Sequence, residues 1–268
     1  MFNFQQTFTL TWNTIKKNKL LFIGLVILQI ILVAVISWTL VSYQIKILEN
    51  SQGILQPLQG ANYNTEQLQA GQPFLPEFGD VYSSYVKLKQ NVTELVLWLL
   101  GFFLIGNGLL WVGTHQMYQK GGWKELAKRL GKYVALGVTM IALLAITLPL
   151  FLTKTITDAA AMGTVDVPVI GPLIIVGIAY YLFLIGVAHI TLPWKETFSS
   201  IYRSGIKKIH HTIPVLLLNV IILAIPLYVI YDSVEKTLGG YTVLSILAFI
   251  ILLVYTRMVW ITSLRRSA

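Results

Sequence analysis

Six apolar stretches set the pattern of the chain, running approximately over residues 20–45, 92–113, 133–152, 169–190, 213–231 and 241–262. Each is close to the ~20 mostly apolar residues that a helix rising ~1.5 Å per residue needs to cross ~30 Å of hydrocarbon. The pattern predicts an all-α polytopic membrane protein, one integral membrane domain over residues 1–268 with six transmembrane helices. The first stretch follows Lys16, Lys17 and Lys19, is too long for a signal-peptide core and has no A-x-A-like site after it, so it reads as a retained signal anchor. A polar outer loop is expected over residues 46–91, rich in Gln, Asn, Gly and Pro, with no sustained helical periodicity. There Thr65–Ala70 supports only a short helix before Gly71 and Pro73 interrupt it. A flexible external loop and a ligand-capturing lid are both compatible with that composition. Asn91-Val-Thr93 matches the glycosylation sequon in form but falls at the membrane edge.

The polar positions between the spans are not distributed evenly. Fifteen of the 20 Lys and Arg residues, among them Lys16, Lys17, Lys19, Lys120, Lys132, Arg265 and Arg266, fall on one side of the predicted membrane with only Glu125 and Glu196 as acids. The other side holds Lys46, Lys87, Lys89, Lys154 and Lys236 against the remaining acids. The positive-inside rule then puts the basic side, with both the N-terminus and the C-terminus, in the cytoplasm, and the localisation is a multi-pass protein of the cell membrane.

Three segments on that basic side resemble one another. Phe4-Gln-Gln-Thr-Phe8 precedes the first span, Trp123-Lys-Glu-Leu-Ala127 the third and Trp194-Lys-Glu-Thr-Phe198 the fifth. Each opens an amphipathic stretch: Phe4, Phe8, Trp12 and Ile15 share a helical face, as do Trp123, Leu126, Ala127 and Leu130, and again Trp194, Phe198, Ile201, Tyr202 and Ile206. Basic residues follow each time. Pro193 favours a helix start at Trp194, where its missing N–H costs nothing. The pattern predicts three repeats of an interfacial elbow helix followed by a transmembrane hairpin. The candidate lipid or partner contacts are Trp12, Lys16 and Lys17 in the first elbow, Trp123, Lys124, Lys128 and Arg129 in the second, and Trp194, Lys195, Arg203, Lys207 and Lys208 in the third. Fixing topology and tilt, holding anionic headgroups and docking a soluble protein are three uses such elbows admit.

Composition narrows the function classes. With 56% hydrophobic and 12% charged residues and a mean hydropathy of +0.71, the chain is too apolar for a water-soluble domain. It has no cysteine, which closes disulfides, thiolate metal sites and cysteine nucleophiles. The net charge of +9 comes without a nucleic-acid motif, so it reports topology and contact with anionic headgroups rather than a nucleic-acid partner.

Intramembrane carboxylates are missing, since Glu94 and Asp232 fall at outer span ends, and proton-coupled transport loses support. Gln29, Asn107, Asn219, Thr139, Thr147, Ser245, Tyr180 and Tyr181 lie inside spans without forming a triad or metal cluster, and are expected to hydrogen-bond between helices. His115, His189, His210 and His211 sit near the basic face without metal-ligand spacing and are expected to contact headgroups. Arg257 is expected to snorkel to the cytoplasmic headgroups. The glycines of spans two and four point to close helix packing, and Pro149 and Pro226 interrupt the outer ends of spans three and five. No cofactor, metal site or catalytic constellation is read.

The order of elbow, span, long outer loop and two hairpins, with Val167-Pro168, the linker Trp194–Tyr202 and the terminal Arg257-Met-Val-Trp-Ile261, resembles the YciC-like uncharacterised six-span membrane proteins. It is also similar to the membrane domain fused to some glycerophosphodiester phosphodiesterases. The resemblance implies a fold and brings no activity or functional residue with it. Two functions are therefore expected from different classes: a non-enzymatic lipid-interacting scaffold or accessory protein, or a transporter permease subunit of the six-span ABC type.

Overall fold

The computed structural model describes residues 4–60, 78–161 and 170–267, and these are helical apart from short turns. Helix α1 (Phe4–Lys17) ends on Lys16 and Lys17, cations that suit the negative end of the helix dipole. A turn at Asn18, whose side chain donates to the carbonyls of Thr14 (3.2 Å) and Met117 (3.1 Å), passes the chain to α2 (Lys19–Gly60). Then α3 (Phe78–Gly101) runs through a π-helical segment (Phe102–Gly106) into α4 (Asn107–Gln116). After these come α5 (Trp123–Ala161), α6 (Ile170–Ala188), α7 (Trp194–Ser200), a second π-helical segment (Ile201–Lys207), α8 (Ile209–Glu235) and α9 (Gly239–Ser267).

Among the described residues, six helical stretches are long and apolar enough to cross a membrane: Lys19–Pro57, Gly79–Gln116, Trp123–Phe151, Ile170–Ala188, Ile209–Glu235 and Gly239–Arg265. The chain is an all-α polytopic membrane protein. Its helices continue through Pro57, Pro149 and Pro226. In the middle elbow region there is no separate helix, because Trp123–Ala161 is one unbroken element.

The described residues of the expected outer loop are helical. Residues 46–60 extend α2 and residues 78–91 belong to α3. The Gln, Lys and Leu residues there are good helix formers, and reading the glutamines as loop-forming was the error. The short helix expected at Thr65–Ala70 falls outside the described residues.

The chain divides into two compact units, residues 31–103 and the remainder. In the 31–103 unit, α2 and α3 approach closely enough that a Cβ on Gly53 would lie 2.7 Å from Ser84 Oγ. Tyr43 donates to Glu94 Oε2 at 2.9 Å, and Gln90 donates to the other oxygen of the same carboxylate at 2.9 Å. None of the described residues in this unit is buried.

The other unit holds the core. Leu110 and Val112 of α4, Tyr133 of α5, Ile185 and Val187 of α6 and Val254, Met258, Ile261 and Leu264 of α9 are almost fully buried. Gly108 lets α4 and α5 meet, since a Cβ there would sit 2.8 Å from the Tyr133 ring. The first helix closes against the last: Thr11 Oγ1 donates to Thr262 Oγ1 at 3.1 Å, and the Phe8 and Tyr255 rings stack with centroids 6.4 Å apart. Helix α1 thus meets the C-terminal part of α9.

Candidate functional site

The first and third elbow helices turn mainly small and hydroxyl residues to the protein. In α1 the buried residues are Thr7, Thr11 and Ile15, while Trp12 is 53% exposed and Lys16 and Lys17 are exposed beside it. In α7 and the π-helical segment after it, Thr197, Ser204 and Gly205 are buried, and Trp194, Phe198, Tyr202 and Ile206 are exposed. A water-soluble helix would do the reverse, packing its aromatics and exposing its threonines. Small hydroxyl residues face the bundle because they permit close approach and hydrogen bonds, as Thr11 does with Thr262 and Thr197 with the His189 carbonyl (3.3 Å). The exposed rings carry cations over them: Lys16 Nζ lies 5.6 Å from the Trp12 centroid and Lys207 Nζ 5.4 Å from that of Tyr202.

Most of the sequence-predicted contacts share this exposure. Trp123 is 87% exposed, and Lys124, Lys128, Lys195 and Arg203 are exposed as well, with Lys208 half-buried. Arg129 departs from the set. It is 1% exposed, donating to the Gln119 carbonyl (2.9 Å) and reaching Gln116 Oε1 and Glu125 Oε1 at 3.4 Å each. Gln116 also clasps Gly121 in both directions, so this guanidinium organises the turn between α4 and α5.

Two histidines also move inward. His115 is fully buried with Nε2 2.9 Å from the Val187 carbonyl, and His189 is buried with Nδ1 2.9 Å from the Ile185 carbonyl, so neither is a headgroup contact. Because His115 Nε2 faces a carbonyl, its proton sits there, leaving Nδ1 to accept from Arg265 at 3.5 Å. Arg265 also lies over the Tyr118 ring, 5.1 Å from its centroid. The Tyr118 hydroxyl donates to the Met258 carbonyl (3.0 Å) and lies 2.7 Å from Thr262 Oγ1, and burial pushes it up to about 12. Lys132 donates to the Leu192 carbonyl and lies over Trp194, tying α5 to the start of α7.

The most unusual polar group is Arg257. It does not snorkel outward. Its Nη2 donates to Gln29 Oε1 at 3.1 Å and reaches Asn107 Oδ1 at 3.4 Å, while the guanidinium lies 5.4 Å from the centroid of the Trp111 ring. Asn107 in turn donates to the Tyr133 hydroxyl at 2.8 Å. Side chains from the first two spans therefore reach the cation on the sixth, and Tyr133 of the third supports them through Asn107; Arg257 lies about 12 Å along its helix from Arg265, and Gln29 about 15 Å from Lys19, a similar depth. Among the described residues no carboxylate pairs with it. Its Nη1 is buried with no hydrogen-bond partner, and so is Asn219 Oδ1.

Both residues line one cavity of about 320 Å³. Sequence reading singled out Gln29, Asn107, Asn219 and Arg257 separately. Their matching depth was the available signal for the cluster. No family model, curated protein or solved structure matches the chain.

Proposed function

We propose that the chain is a non-enzymatic, lipid-interacting scaffold or accessory protein of the cell membrane, with both termini in the cytoplasm and its elbow helices bearing on anionic headgroups. The observation that carries the reading is the polarity of α1 and of α7 with its π-helical continuation: hydroxyls, glycine and Ile15 inward, Trp12, Trp194, Phe198 and Tyr202 outward, lysines alongside. Rings at headgroup depth fix the position of a helix, and each nearby Lys or Arg adds about 1 kcal/mol of attraction to an anionic surface. The fifteen-to-five division of basic residues supports the orientation. The resemblance to the YciC-like six-span proteins belongs to the same reading.

The test is native mass spectrometry of the lipids retained after extraction from a membrane of mixed phosphatidylglycerol and phosphatidylethanolamine. Wild-type protein is expected to retain phosphatidylglycerol preferentially, and the variant K16A/K17A/K207A/K208A to lose that preference while remaining folded. Equal retention by both proteins would overturn the proposal. A permease subunit is the second reading, favoured by a cavity among the spans to which Arg257, Gln29, Asn107 and Asn219 contribute polar groups. A stoichiometric copurifying ATPase would replace the scaffold reading with it.

A further inference from the structure

We infer that the cavity at Arg257 is a binding site for the oxyanion head of a single-chain membrane amphiphile, a carboxylate or phosphate bearing an alkyl tail. Three observations carry this, none of which involves the elbow helices.

First, the cation is incompletely answered. Gln29 and Asn107 offer it amide oxygens through Nη2, and Trp111 offers a ring face, but these are neutral groups and Nη1 remains without a partner. A buried guanidinium is a forked donor matched to a carboxylate or phosphate, and neither amides nor water would neutralise it.

Second, the cavity holds a second unpaired polar group, the Oδ1 of Asn219, a residue 8% exposed. As it stands this oxygen accepts from a hydroxyl on the ligand head. With the amide turned over, its NH2 adds a donor to the anion.

Third, the rest of the wall is apolar and the cavity is open at its side. Leu216, Val220, Leu223 and Leu253 line it. Val220, near the middle of α8, is 55% exposed, and Tyr180 of α6 is 45% exposed and lines the same cavity. Both lie within helices long and apolar enough to cross a membrane, so the cavity reaches the bundle surface along the spans, where lipid would meet it. A volume of about 320 Å³ lies at the small end of the ~300–1,000 Å³ common for ligand sites, which suits a head with one short chain and is too small to enclose a whole two-chain phospholipid.

The probe is radiolabelled laurate, titrated onto protein in phosphatidylcholine nanodiscs with uptake by empty discs subtracted. Wild-type protein is expected to bind it saturably, with about one site per chain. Arg257→Gln is expected to weaken binding at least tenfold, Arg257→Lys to restore part of the loss, and Asn219→Leu to weaken it severalfold with the guanidinium in place. Lys236→Ala, which alters an exposed cation at the α8–α9 turn, is expected to bind as wild type does. Acetate and inorganic phosphate in hundredfold excess are expected not to displace laurate. Non-saturable uptake, or binding unchanged in both Arg257→Gln and Asn219→Leu, would overturn the assignment. Displacement by acetate or phosphate would overturn it too, by making the ligand a soluble anion. Because phospholipid retention reports on the elbows and laurate on the cavity, either idea can fail while the other stands.

Discussion

At the turn between α4 and α5, Arg129 has a main-chain carbonyl, a glutamine oxygen and the carboxylate of Glu125 arranged around it. In the spans, Arg257 has two amide oxygens, a tryptophan face and a nitrogen that bonds to nothing. Both guanidinium groups are drawn into the same compact unit, yet one is closed by the chain itself and the other is left open beside a cavity. Burying a charge is costly unless the charge is paired and its donors are satisfied. Arg129 meets that condition and acts as a strut. Arg257 does not, and an arrangement that keeps a cation in such surroundings without completing its bonds is one prepared for a ligand.

The largest effect is expected at the closed site. Arg129→Met removes the bonds to Gln119 and Gln116 at the turn, and should cost about 3 kcal/mol in reversible unfolding. A cost below that of an ordinary surface change would break the comparison.

Gly108→Ala comes next. Its methyl would meet the Tyr133 ring at 2.8 Å and Leu130 at 2.9 Å. Tyr133 is fixed by the bond from Asn107 and by an edge contact with Phe183 at 5.4 Å, so it cannot yield freely. A loss of about 2 kcal/mol is expected, together with weakened laurate binding, because the Asn107 support for Arg257 shifts with the ring.

Tyr118 gives a smaller, pH-dependent effect that sharpens the picture of the closed end. Burial raises its hydroxyl from 10.0 to about 12. The unfolded chain therefore ionises first, and the contribution of this group is complete below pH 10 and is lost as pH rises toward about 12. Thermal unfolding across that window should show the decline, and Tyr118→Phe should remove this component of it.

How much of this was visible in the sequence differs between the same regions. The six spans were legible because a long apolar window is a signal of length and composition alone. The first and third elbow helices were legible in position, while the middle one is part of the unbroken helix α5. The residues by which they pack, among them Thr7, Thr11, Thr197 and Ser204, were not legible, because small hydroxyl side chains carry no periodic apolar signal. Residues 46–60 and 78–91 were misread because their polar composition was weighed above their helix propensity.

Arg257 was misread for another reason. Depth along one helix allows a long side chain to reach the interface, and nothing local forbids it. The groups that hold it inward, Gln29 and Asn107, are 228 and 150 residues away in the chain. Only the packing of the spans brings them together.

The smallest expected effect on stability is also the most informative. Thermal unfolding of Arg257→Met and Arg129→Met should be compared with wild type in phosphatidylcholine nanodiscs with no laurate added. Arg257→Met is expected to stay within about 1 kcal/mol of wild type, since it removes an unneutralised charge along with its bonds to two amides, while Arg129→Met falls well below. If Arg257→Met were destabilised as much as Arg129→Met, Arg257 would be a strut like its counterpart, and the open site would not be held for a ligand.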